Sequence, residues 1–214
     1  MPDNEKPVNV MKPLDPWAPL TQECIDLIEK IPESCGKGPV DKTGRPYVDY
    51  FERCQKPIDE AANCLETKSA AKCLPSESRW SNELPKFLNP YFKLAEMLKD
   101  PIKKLGLDEA FSLASALRSV FLISVARCEP ALIESVVKFI SNLNFLEVEK
   151  LAGYLEKTQW TDLTKRLGVG FSNKAATLLL VKVFALQNPA KSSDELLDMA
   201  FNYFPPEPLG PVKY

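Results

Sequence analysis

Five of the six cysteines in this 214-residue chain fall between positions 24 and 73, and that clustering constrains the fold more than any other feature. Cys24 and Cys35 are separated by 10 residues, and Cys54 and Cys64 by 9. At about 3.6 residues per turn either spacing is close to three helical turns, so both members of a pair share one face of a helix. Gly36, Gly38, Pro39, Gly44 and Pro46 lie between the pairs and read as a chain reversal. Two short helices folded back across 36–46 could be stapled twice, Cys24 to Cys64 at the open end and Cys35 to Cys54 beside the loop. Six cysteines allow fifteen complete pairings, and Cys73 competes with Cys64 for Cys24. Cys128 follows an apolar helix and reads as a buried free thiol. Free thiols in a reducing cytosol, with cysteine acting as a small buried hydrophobe, are the alternative for the whole set. No C-x-x-C occurs, which speaks against a zinc ribbon or a thioredoxin-type pair.

The remaining pattern is helical throughout, and the expected fold class is all-α: a small disulfide-linked helical hairpin followed by an orthogonal helical bundle or short α-solenoid. Four regions are expected. Residues 1–20 carry Pro2, Pro7, Pro13, Pro16 and Pro19 and read as an extended arm. Residues 21–80 form the cysteine-rich hairpin, with one helix over Thr21–Ile31 stopped by Pro32 and a second stretch, Tyr47–Lys68, interrupted at Pro57. Pro75, Pro85 and Pro90 mark 74–90 as a connector. Residues 81–204 form the bundle, and 205–214 (PPEPLGPVKY) an extended tail.

Within the bundle, Tyr91–Lys99 reads as a helix ended by Pro101. Asp108–Arg127 is apolar all round except for Arg118 and is expected at the centre. Pro130 opens a helix with Leu132, Ile133, Val136, Val137 and Ile140 on one face. Asn144 with Glu147 and Ser192 with Glu195 have capping-box spacing. Val148, Leu151, Ala152 and Leu155 line the helix after the first box. Leu197, Ala200, Phe201 and Phe204 are the expected inward stripe after the second. A short helix is expected at Thr161–Leu167. The apolar Lys174–Leu186 is the second helix expected to be covered on every side.

Composition narrows function mainly by exclusion. The chain has no histidine, which removes Ser-His-Asp and Cys-His catalysis and mixed Cys/His zinc sites. Neither a G-x-G-x-x-G nor a P-loop motif occurs. Glu147, Glu149 and Glu156 read as solvated helix faces rather than paired acids. No catalytic residue, metal ligand or cofactor site is expected, and the chain is expected not to be an enzyme. A net charge of -2 offers no field for nucleic acid. The apolar runs Ala110–Ala126 and Leu178–Leu186 fall short of the ~20 residues a bilayer span needs, so no transmembrane helix is expected. Met1–Asp15 lacks the features of a secretory signal or an Arg-rich presequence. Lys99, Lys103 and Lys104 form a small basic cluster suited to a solvated face or a peripheral lipid contact.

The two cysteine pairs, with Tyr47, Tyr50 and Phe51 ahead of Cys54 in YVDYFERC, resemble the twin C-x(9)-C, or coiled-coil-helix-coiled-coil-helix, family of the mitochondrial intermembrane space. The resemblance covers residues 20–66. The first interval is one residue longer than the family's, Pro32 and Pro57 interrupt helices that are usually continuous, and Cys73 is additional. What the resemblance implies is import by an oxidase that reads Tyr47, Tyr50 and Phe51. It also implies residence in the intermembrane space, peripheral to the inner membrane, as a non-catalytic accessory subunit of a respiratory-chain or ATP-synthase complex that staples neighbouring protein subunits together. The alternative expectation is a cytoplasmic helical adaptor or cytoskeletal-complex subunit with free thiols.

Overall fold

The computed structural model describes residues 17–35, 43, 45, 49, 51–73, 79–157 and 171–206, and among these all regular structure is helical. Most of the Pro-rich arm, most of the expected 36–46 reversal and of 47–50 after it, the helix expected at Thr161–Leu167 and the tail from 207 onward lie outside the described residues.

Helix α1 spans Gln22–Cys35 and runs through Pro32, where the sequence led us to expect its end. Cys24, Ile25, Ile28, Ile31 and Cys35 are all buried, a continuous stripe that carries the helix past the proline. A proline inside a helix costs about 3 kcal/mol. Burying one isoleucine contributes about 1.5–3 kcal/mol, so Ile28 and Ile31, both fully buried, offset it. The carbonyl of Cys35 accepts from the Arg53 guanidinium at 2.8 Å, a positive charge at the negative end of α1.

Arg53 belongs to a five-residue π-helical turn, Phe51–Gln55, that leads into α2, Lys56–Lys68. Pro57 is thus the second residue of α2, where a missing N–H costs nothing. The interruption expected at this proline is a change of helix type just ahead of it. Helix α2 packs on α1 and α3, and its Ile58, Ala61, Ala62, Cys64 and Leu65 are buried. The open end of the pair is tied by Lys68 to Glu23 at 2.6 Å and by the Ala70 N–H to the Pro19 carbonyl at 2.8 Å.

Helix α3 spans Trp80–Lys104 and holds Pro85, Pro90 and Pro101 in its interior. The connector expected at 74–90 is therefore corrected from Trp80 onward, where it is helix, as is the expected stop at Pro101. Trp80, Leu84, Phe87, Leu88, Leu94 and Leu98 repeat at helical spacing and are buried, and this burial outweighs three local breaking signals. The first N–H of α3 is met from α2, by the Glu66 carboxylate at 3.0 Å from the Trp80 nitrogen.

Helix α4, Leu107–Arg127, is central: α3, α5 (Pro130–Ser141), α6 (Phe145–Glu156) and α7 (Phe171–Gln187) all pack on it. Every residue from Ser119 to Ala126 is buried, as an all-round apolar helix requires. Its length and apolarity would allow it to cross a membrane, yet two-thirds of that stretch is covered inside the protein. Arg118 escapes at the surface and pairs with Glu29 of α1. Helix α7 is buried over Ala175–Leu180 and at Val183 and Phe184, while Lys182 and Leu186 emerge at its C-terminal end. Both capping boxes form, Asn144 with Glu147 on α6 and Ser192 with Glu195 on α8, Ser193–Phe201. On α8 it is Leu196, not Leu197, that is buried beside Ala200 and Phe204. One buried cluster runs from Leu20 through both helical regions to Phe204.

Candidate functional site

Two features stand out, a cystine framework and an exposed apolar end. The framework begins with the hairpin. Cys24 is bonded to Cys64 with alpha carbons 5.5 Å apart, and Cys35 to Cys54 with alpha carbons 4.5 Å apart. Both fall in the ~4.4–6.8 Å range that a disulfide needs. The pairing is the nested one expected for two antiparallel helices, compatible with a twin-cysteine hairpin. The carbonyl cap from Arg53 sits beside the inner cystine and the Glu23–Lys68 pair beside the outer one.

The third cystine corrects the sequence reading. Cys128 is bonded to Cys73, with alpha carbons 5.2 Å apart, so it is not a free thiol, and Cys73 does not replace Cys64. Parity was the available signal: two pairs in the hairpin leave only Cys73 and Cys128. Cys128 lies just past the C-terminus of α4 with φ of 52°, the left-handed conformation usually supplied by glycine. Its N–H donates to the Val125 carbonyl at 3.0 Å and the Glu129 N–H to Ser124 at 2.9 Å, the two bonds of a Schellman turn. Cys73, Cys128 and Glu83 place their sulfur and carboxylate atoms within 4.8 Å of one another, a spacing that suits a metal ion. Both sulfurs are committed to the disulfide, so no thiolate is present to act as a ligand.

The residues flanking Cys128 hold the C-terminal end of the chain. The Tyr203 hydroxyl donates to Glu129 at 2.8 Å, and the Arg127 guanidinium lies 5.1 Å above the Tyr203 ring and donates to the Asn202 carbonyl. Burial, with the hydrogen bond to Glu129, pushes the Tyr203 hydroxyl up to about 12. Tyr91, stacked on Phe121 with centroids 4.2 Å apart, is likewise raised by burial and by the nearby Glu29 carboxylate.

The apolar end lies where α3 turns into α4 and α6 begins. Leu107, Phe111, Phe145 and Leu146 are exposed there. Lys104 reaches to 5.6 Å from the Phe145 ring, and Lys103 pairs with Asp100 at 3.7 Å, so both lysines have nearby partners. An open groove of about 470 Å³ runs between the turn at Leu105–Gly106 and α6. Glu109, Glu149, Lys150 and Lys157 line it, two acids matched by two bases. Gly153 forms part of its wall and has open space where a side chain would stand. Tyr154, also lining it, lies under Lys182 at 4.4 Å, and burial pushes its hydroxyl up to about 12.

Glu147 is engaged in the capping box of α6 rather than in any acid pair. Tyr47, Tyr50 and the side chain of Phe51, the expected import-recognition residues, lie outside the described residues. The chain matches no known protein family, no curated protein and no solved structure.

Proposed function

We propose that the protein is a non-catalytic accessory subunit of a mitochondrial inner-membrane complex, of the respiratory chain or an ATP synthase. It stands on the intermembrane-space side and joins neighbouring subunits. One observation carries this reading: all six cysteines are paired, two of the pairs stapling an antiparallel helical hairpin. Such bonds persist in an oxidising compartment and not in a thiol-reducing one. The resemblance of residues 20–66 to the twin-cysteine family selects the intermembrane space among oxidising compartments. The absence of histidine from the chain favours a role by contact over catalysis.

On this reading the hairpin and bundle act as one rigid piece, and the exposed Leu107, Leu146 and Phe145 end and the Pro-rich termini meet other subunits. Rigid parts lose little conformational freedom on assembly. The test is fractionation of mitochondria by detergent and native electrophoresis, with mass-spectrometric profiling along the gel. The protein is expected to migrate with a large inner-membrane assembly. It is also expected to be cut by protease once the outer membrane is opened but not before. Recovery in the cytosolic fraction at monomer size would refute the proposal.

A further inference from the structure

We propose that Cys73–Cys128 is an exchangeable, redox-responsive cystine, and that its opening loosens the C-terminal end of the fold. The six cysteines differ in exposure. Cys24, Cys35, Cys54, Cys64 and Cys73 are buried, between 0% and 6% exposed. Cys128 alone is half-buried, at the end of α4. Thiol–disulfide exchange requires an incoming thiolate to reach a sulfur, and Cys128 is the one cysteine residue that is not buried, so access ranks its bond first.

The step is a two-stage exchange with a low-molecular-weight thiol. The incoming thiolate bonds to Cys128 Sγ, the Cys73–Cys128 bond breaks, and its electron pair leaves on Cys73 Sγ, which takes a proton from solvent. A second thiolate then attacks the sulfur of the incoming group and releases Cys128. Two thiols become one disulfide, and one cystine becomes two thiols. The leaving sulfur faces Glu83, whose carboxylate opposes a thiolate. Lys86 holds both oxygens of Glu83, at 2.9 and 3.0 Å, and screens that opposition.

Opening this bond has a mechanical consequence because of where Cys128 stands. It is the one non-glycine residue with positive φ among the described residues. A side chain there is disfavoured, and the cystine and the Schellman hydrogen bonds together hold it. With the cystine open, the turn relaxes toward the right-handed region and displaces its neighbours, Arg127 and Glu129. These are the residues that hold Asn202 and Tyr203. The state of the third cystine is therefore coupled to how firmly the segment after α8 is fixed.

The full-length protein in graded glutathione buffers, acid-quenched and alkylated, gives the order of opening by peptide mapping. Cys73 and Cys128 are expected to be labelled while the other four cysteines stay blocked. Amide exchange over 199–206 is expected to rise about tenfold in step, the factor matching the left-handed cost of a non-glycine residue. Hairpin cystines opening first or together with the third, or exchange over 199–206 unmoved after Cys73–Cys128 opens, would overturn the proposal. Two paired variants separate relaxation of the turn from general destabilisation. Cys73→Ser with Cys128→Ser is expected to loosen 199–206, whereas Cys73→Ser with Cys128→Gly, which supplies the left-handed residue without a cystine, keeps it protected. Equal exchange in the two variants would contradict the mechanism.

Discussion

The hairpin and the bundle are both helical, yet they are held by different means. In the hairpin, α1 and α2 offer one narrow stripe each, and two cystines clamp them at either end. In the bundle, α4 is buried on every side over 119–126 and α7 over 175–180, each packed by its neighbours. A pair of short helices cannot bury enough surface to offset its conformational entropy, so covalent closure supplies what packing does not. A helix enclosed by four others needs no such help. Where hairpin and bundle meet, both means are used: α2 packs on α3, and Cys73–Cys128 ties the segment after α2 to the end of α4.

The largest expected effect comes from removing the hairpin's covalent support. Replacing Cys24, Cys35, Cys54 and Cys64 by serine removes two closures worth about 3 kcal/mol each by the chain-entropy estimate. Hydrogen exchange is expected to show 22–68 unprotected while α4 and α7 remain protected. Loss of protection in both regions together would erase the distinction between them. The next effect falls on the other side. Leu179→Ala in α7, at a side chain with no exposure, is expected to cost about 3 kcal/mol in a denaturant titration with all cystines intact. A cost below about 1 kcal/mol would mean that α7 is not part of a packed core.

Helix α3 connects the two regions and sharpens the comparison in a third way. Its prolines are tolerated because a buried stripe holds the backbone helical against them. Pro90→Ala restores a hydrogen-bond donor in mid-helix and is expected to raise stability by about 1–2 kcal/mol, less than the full helix-propensity difference because the unfolded chain also gains freedom. A destabilised variant would argue that the chain bends there. The smallest effect is at the far end of the bundle. Ser192→Ala removes the cap of α8 and is expected to cost about 1 kcal/mol. The Glu195 carboxylate is held below its ordinary value, chiefly by the Ser192 backbone N–H. A lowered folded value means that this cap contributes above the ordinary carboxylate range and is lost as pH falls through the lowered value. Protection of the 193–201 amides, taken relative to the intrinsic exchange rate at each pH, is expected to fall on acidification in the native chain and to lose that dependence in Glu195→Gln.

These contrasts also explain what the sequence made legible. Features with a local cause were readable: the capping boxes at Asn144 and Ser192, Pro130 at a helix start, the apolarity of α4, and the spacing that put Cys24 and Cys35 on one face of α1, whereas Cys54 sits in the π-helical turn ahead of α2 rather than on one helix with Cys64. The proline-bearing stretches were misjudged because a proline's cost is local, while the burial that outweighs it at Leu84, Phe87 and Leu88 is tertiary. Cys128 was misassigned for a related reason. Its partner lies 55 positions away, and no periodicity links a residue past the end of one helix to an extended segment after another. The position itself held a clue, since a residue directly after an apolar helix is where glycine usually stands, and a cysteine there needs a reason. The apolar end is likewise a tertiary product: no sequence pattern singled out Leu107 and Leu146, and it is the packing that leaves them exposed.

The central claim is that covalent closure in an oxidising compartment holds the hairpin together. It is tested most directly by counting thiols in native material. Cells are quenched in acid, free thiols are blocked with one alkylating reagent, and the cystines are reduced and labelled with a second of different mass. All six cysteines are expected to carry the second label, with Cys73 and Cys128 the first to lose it as thiol is added before the quench. Cys24, Cys35, Cys54 and Cys64 carrying the first label in untreated cells would contradict the account.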